Sequence, residues 1–193
     1  MPVYPGDVTP TLRQIATVGT EGFSDFQLTS SMHVGTHIDA PAHMIDGGKN
    51  LLEVEPSQFF GRGVLIDARN ISLITAEVLH GARLRAGDIV LVNTGWSVYF
   101  GQPRYYEDFP KVETSFADVL IAAGVSAAGF DSPSPDTAPF ATHKKLLGHG
   151  ILIIENLVNL ERLLGVGEFE VVALPVKFAA DGGLARVVAR VPA

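Results

Sequence analysis

Apolar residues in this chain gather into short runs broken by glycine, proline and small polar residues, and the runs carry two different periods. Five of them are rich in β-branched residues and read as strands, at 63–67, 88–93, 151–155, 171–175 and 185–191. Between them lie three stretches with helical grammar. The first, 75–80, opens on the N-cap candidate Thr75 and stops at Gly81; the second, 115–124, ends on Gly124; the third, 140–147, ends before Gly148. Strands alternating with short helices predict an α/β domain built around a mixed β-sheet. There is no internal repeat, low-complexity tract or linker, so residues 1–193 are expected to form a single domain. The loops at 93–114 and 131–138 are long and carry aromatic, proline and aspartate residues, a composition that often lines a site.

One segment has an alternation of another kind. In His33-Val34-Gly35-Thr36-His37-Ile38-Asp39-Ala40-Pro41-Ala42-His43 the imidazoles and the carboxylate all occupy odd positions. Successive side chains of an extended chain point to opposite faces. His33, His37 and Asp39 therefore share one face with Gly35, while Val34, Thr36, Ile38 and Ala40 take the other. A helix would join His33 to His37 but turn Asp39 away, at ~100° per residue, and Pro41 opposes a helix through the segment. The pattern predicts a metal-ligand ribbon, bent near Gly35 because a flat strand holds His33 and His37 too far apart.

Two further residues fit poorly unless they serve chemistry. Glu155 closes the run Ile-Leu-Ile-Ile, where a carboxylate is costly without a cation beside it, although it can also snorkel out of a strand end. His143 lies on the helix that leads into that strand. With His33, His37 and Asp39 they make a set of three imidazoles and two carboxylates, which suits zinc or manganese and allows a carboxylate to bridge two ions. His43 reads equally as a solvated loop histidine or as a catalytic one. His149 sits where a helix dipole favours a cation, and His80 is given no role.

Composition narrows the possibilities. With 47% hydrophobic and 18% charged residues the chain has ample material for a core, and its apolar balance suggests a subunit interface. A net charge of −7 leaves no basic footprint for nucleic acid or an anionic membrane. No apolar run approaches the ~20 residues of a bilayer span, and the first residues lack the features of a signal peptide. The absence of cysteine excludes disulfides and thiolate ligands, so any ion must be held by nitrogen and oxygen. The expected setting is cytoplasmic.

The run His33-x-Gly35-Thr36-His37-x-Asp39-x-Pro41-x-His43 resembles the signature of the metal-dependent cyclase-like hydrolases, which include bacterial kynurenine formamidase (arylformamidase) and isatin hydrolase. The likeness continues through Tyr4-Pro5-Gly6-Asp7, through Asp131-Ser132-Pro133-Ser134, through His143 with Glu155 twelve residues on, and through Leu174-Pro175-Val176-Lys177. It implies a swivelling β/β/α fold and a homo-oligomer, commonly a dimer. It implies two divalent ions, zinc first and manganese as the alternative. His33, His37 and Asp39 would hold the first ion, Asp39 and Glu155 would bridge to a second, and His143 would complete that one. His43 would be the general acid/base, and Tyr4 stands where formamidases carry a substrate-contacting tryptophan. The expected reaction is hydrolysis of a carbon–nitrogen amide bond by metal-activated water, in an aryl formamide such as N-formylkynurenine. The alternatives are a cyclic amide like isatin, a lactone, or a metal-binding module without catalysis. Trp96, Tyr99, Phe100, Tyr105 and Tyr106 either line the substrate pocket or pack their own loop.

Overall fold

A computed structural model describes residues 2–192. In chain order the strands are β1 (Thr11–Ala16), β2 (Asp25–Thr29), β3 (His37–Asp39), β4 (Phe60–Asp67), β5 (Leu73–Ile74), β6 (Ile89–Asn93), β7 (Lys111–Val112), β8 (Ala127–Phe130), β9 (Leu152–Glu155), β10 (Glu170–Pro175) and β11 (Gly182–Arg190). The α-helices are α1 (Val18–Glu21), α2 (Arg104–Glu107), α3 (Thr114–Ala123) and α4 (Ala141–Gly148).

Seven strands close into a barrel in the order β10-β11-β3-β9-β8-β6-β4, with β4 returning to β10. The arc β4-β6-β8-β9 is parallel, whereas β3, β10 and β11 pair antiparallel with their neighbours. The sheet is mixed and flanked by short helices, as the sequence pattern predicts. Parallel strands are covered on both faces and so read as unbroken apolar runs. Every residue of β6, β8 and β9 is buried.

Alternation divides those runs between two cores. Ile89, Leu91, Leu152 and Ile154 join Ile38, Val171 and Phe169 in the barrel interior. Val90, Val92 and Ile153 face outward, where Phe116 and Leu120 of α3 and Leu146 and Leu147 of α4 cover them. Each such side chain, buried relative to water, contributes about 1.5–3 kcal/mol, which fixes α4 against the sheet edge that carries the polar cluster.

All five predicted strands form, with ends shifted by one to three residues. Helix 115–124 becomes α3, capped by Gly124 in the left-handed conformation at φ 70°. Segment 75–80 forms only a 3-10 turn, Ala76–Leu79, with Thr75 Oγ1 accepting from the Glu77 amide. The predicted ribbon is extended only over β3, and residues 33–36 bend. The bend falls at Gly35, whose φ of 61° suits a residue without Cβ. Strand β8 and the β1–β2 hairpin are additions that the hydrophobic pattern did not reveal. Among the described residues no helix is long and apolar enough to cross a membrane.

Candidate metal centre

Strand β3 lies between β9 and β11 in the barrel wall. Ile38 turns into the interior core, so His37 and Asp39 emerge together on the outer face. Register then sets their neighbours: His37 pairs with Glu155 of β9, and Asp39 pairs with Gly182 of β11. Helix α4 packs against the same sheet and brings His143 over the pair.

The distances are short. His37 Nε2 lies 3.3 Å from Asp39 Oδ1 and 3.3 Å from Glu155 Oε2. His143 Nε2 lies 3.2 Å from Glu155 Oε1 and 3.9 Å from Asp39 Oδ2. His33 Nδ1 lies 2.8 Å from Asp39 Oδ1. His43 follows in the 3-10 turn Pro41–His43, its ring 4.0 Å from that of His33 and 6.1 Å from that of His143. Residues from two ends of the chain thus meet around Asp39, which is 1% exposed.

The remaining ring nitrogens are tied back into the protein. His37 Nδ1 donates to the Gly35 carbonyl at 2.7 Å, which leaves Nε2 facing the cluster. His143 Nδ1 bonds Asp136, whose other oxygen accepts the Thr142 amide at 2.7 Å and so holds the first turn of α4. Such outer partners fix ring orientation at metal sites.

Charge is balanced by protons when no cation is bound. Burial opposes charge on His37, but Asp39 and Glu155 outweigh it and lift its pKa well above the usual imidazole value. Burial likewise opposes charge on His143, yet Asp136 and Glu155 raise it to about 10. Asp39 is held well below the carboxylate range, because His37 and His33 overcome the cost of its burial.

A cavity of about 360 Å³ opens above the cluster. Its floor includes His33, His37, His43, His143 and Glu155, while Tyr4, Met44, Tyr106, Pro133 and Phe140 form apolar walls. Tyr4 and Tyr106 meet edge to face at 5.7 Å. Of the aromatic loop only Tyr106 lines the cavity. Trp96 and Tyr99 pack against each other, tilted by 59°, beneath the Arg104 guanidinium, and Phe100 packs on Tyr105, so the rest of that cluster is loop packing.

The family model described as "Putative cyclase" matches residues 1–137. A kynurenine formamidase of Bacillus cereus is 34% identical over 168 residues, covering 85% of this chain and 78% of the relative. The chain belongs to the cyclase family. It is a hydrolytic enzyme of that family. A solved structure titled as a potential metal-dependent hydrolase with cyclase activity superposes with a TM-score of 0.75 at 27% identity, over 97% of this chain and 92% of the other. Isatin hydrolase A from Labrenzia aggregata, solved bound to benzyl benzoate, gives 0.86 at 23% identity over 99% and 88%, a likeness of fold.

The residues present fit a divalent cation. Two buried polar atoms in the cluster, His37 Nε2 and Asp39 Oδ2, have no hydrogen-bond partner. Unpaired buried polar atoms are costly, and nitrogen and carboxylate donors converging without a lysine or arginine are what zinc or manganese requires. Clusters with mutual donor-atom distances within 4.8 Å include His33, His37 and Asp39, and also Asp39, His43 and His143.

Three further residues shape the site without having stood out in the sequence. Asp136 orients His143, and Asp181 contacts both His33 and His43. Asn156 lines the cavity and accepts from the Tyr105 hydroxyl at 2.8 Å. Asp136 and Asp181 sit in Pro-Asp-Thr and Asp-Gly-Gly, which read as turn signals.

Proposed function

We propose that this cyclase-family enzyme hydrolyses the carbon–nitrogen bond of an aryl amide, with an aryl formamide of the N-formylkynurenine type as substrate. His33, His37 and Asp39 would hold one divalent ion, and Asp39, Glu155 and His143 a second, with zinc the first choice and manganese the alternative. Bound ions of this kind polarise a carbonyl oxygen and make water more acidic.

The chain's own groups account for the rest. Tyr4 and Tyr106 offer an aromatic wall for the aryl ring beside the cluster. His43 lines the cavity, its side chain 24% exposed and its ring beside those of His33 and His143. It can take a proton from the attacking water and return it to the departing nitrogen as the C–N bond breaks, giving formate and an arylamine. Acid/base assistance of this kind contributes typically ~10²–10⁴ in rate. The carrying observation is the convergence of His33, His37, His143, Asp39 and Glu155, with His37 Nε2 and Asp39 Oδ2 buried and without a well-directed hydrogen bond, below an aromatic-walled cavity. The sequence kinship to a kynurenine formamidase supports the same substrate class.

The test is turnover of N-formylkynurenine by the metal-loaded protein, alongside isatin and a simple lactone. His43→Ala should lose about 10²–10⁴ in kcat while keeping its metal content. Equal rates for the two proteins reject the role of His43, and turnover of isatin or the lactone alone rejects the formamide.

The cysteine-free composition supports a cytoplasmic setting. A homo-oligomer is the expected assembly, supported by the exposed apolar residues of β1 and β2.

A further inference from the structure

Asp181 immediately precedes β11, and one of its oxygens touches two histidines. Oδ2 lies 3.0 Å from His33 Nε2 and 3.3 Å from His43 Nδ1. The Asp181 carbonyl accepts the Ala40 amide at 2.8 Å, and the Ala180 carbonyl accepts the Leu51 amide at 2.9 Å. Ala40 in turn accepts the His43 amide at 2.9 Å, so Asp181 and His43 hang from the same short stretch of backbone. On the other side, Gly182 leaves room for His33: a Cβ there would fall 2.6 Å from His33 Cε1.

We propose that Asp181 is a positioning residue, its single carboxylate oxygen accepting from His33 and His43 at once and so setting the orientation and tautomer of both rings.

A neutral imidazole donates from one nitrogen and accepts at the other, and a carboxylate on one side decides which. With Nδ1–H of His43 given to Asp181, Nε2 is the nitrogen left for proton transfer, the arrangement that an orienting carboxylate provides in other acid/base histidines. With Nε2–H of His33 given to the same oxygen, Nδ1 faces Asp39 at 2.8 Å, where it can give a proton to that carboxylate or, with an ion bound, present its lone pair to the ion, as a metal-ligand histidine with an outer carboxylate does. Sharing one oxygen makes the two rings interdependent, so the acid/base group is held at a fixed distance from the ligand set. The inference deepens the reading above and rests on it only for the kinetic measurement.

The experiment compares full-length zinc-loaded wild type, Asp181→Ala and Asp181→Asn by three readouts. The first is ¹⁵N NMR of the histidine ring nitrogens, with His43 assigned by its loss in His43→Ala. Wild type should show His43 protonated at Nδ1, and Asp181→Ala should lose that preference. The second is N-formylkynurenine turnover, where Asp181→Ala should lower kcat by roughly 10–100-fold with KM little changed, and added acetate should recover part of it because the position is open to solvent. The third is zinc content, which should stay equal to wild type. Asp181→Asn keeps a carbonyl acceptor without the charge and should fall between the two; it also carries the test if the alanine variant does not fold. An unchanged His43 tautomer overturns the proposal, and so does loss of a zinc equivalent that accounts for the lost rate, which would make Asp181 a ligand. If wild type does not turn over N-formylkynurenine, the substrate reading fails, while the ring-nitrogen spectra still decide the role of Asp181.

Discussion

His37 shows how one side chain is committed by its two nitrogens. Nδ1 is used up on the Gly35 carbonyl, so Nε2 can only meet the carboxylates of Asp39 and Glu155. Without a cation, protons supply the missing positive charge: His37 is lifted well above its ordinary value of ~6.5 and His143 to about 10. Both rings therefore hold their protons more tightly than a free imidazole, and an ion binding at Nε2 must displace them. Zinc uptake should therefore release on the order of one to two protons, and apparent affinity should rise with pH. Calorimetry in buffers of different ionisation heat reads this directly, and uptake without proton release contradicts it. The linkage for the ion-free protein has the matching sign. The raised His143 contributes stability that is fully present below ~6.5 and is lost as pH rises through about 10, and His37, raised in the same direction, adds to it with the same sign. Asp39, held low, contributes above ~3.9 and loses its share as pH falls through its depressed value. That His37 and Asp39 share a face was legible from spacing, because alternation along an extended chain is a local property, whereas His33 joins them through the bend at Gly35. Asp136 and Asp181 were not, since nothing within three residues of either distinguishes a turn aspartate from an orienting one.

At the scale of elements, β3 is only three residues long, and its neighbours decide what it can do. Register puts Glu155 opposite His37 and Gly182 opposite Asp39, so β9 supplies a carboxylate to the cluster and β11 supplies space. Gly182→Ala would set a Cβ 2.6 Å from His33 Cε1 and 3.0 Å from the Ile38 carbonyl. His33 must then swing from Asp39. Zinc affinity should fall by roughly 10–100-fold, with about 1–3 kcal/mol of stability lost, as read by chelator competition and thermal melting. Gly167→Ala is the control, because no atom lies within 4 Å of its Cβ position. Affinity unchanged in Gly182→Ala would show that His33 is not held there. The same scale explains a missed strand. Ala127-Ala128-Gly129-Phe130 has no β-branched residue, yet the barrel demands small side chains there: a Cβ on Gly129 would lie 2.7 Å from Leu157 and 2.8 Å from Leu91.

For the whole molecule, closure of the barrel brings residues 33–39, 143–155 and 181 to one edge. The hairpin β1–β2 stands apart from that body. Leu12 pairs with Leu28 and Gln14 with Phe26, which gives the ribbon one face carrying Leu12, Leu28 and Phe26, each more than half exposed. Isolated hairpins are marginal in water, and an apolar face of this kind calls for cover. If a second copy of the chain supplies it, Leu12→Glu combined with Phe26→Glu should halve a dimer's mass in light scattering while α4 and the site stay folded. A mass unchanged by the double substitution would remove the hairpin from the interface.

What is local could be read along the chain: the buried parallel strands, whose unbroken apolar runs require cover on two faces, and the placing of His37 and Asp39 on one side of a short strand, while His33 reaches them through the bend at Gly35. It also named His143 and Glu155 as candidates through their placement beside a buried strand. The folded arrangement settles which of these groups meet, that Asp136 and Asp181 stand behind the histidines, and that Tyr106 alone of its loop reaches the cavity. Those facts depend on the register of β3 between β9 and β11 and on closure of the barrel, which are set by packing between segments more than a hundred residues apart rather than by any preference along the chain.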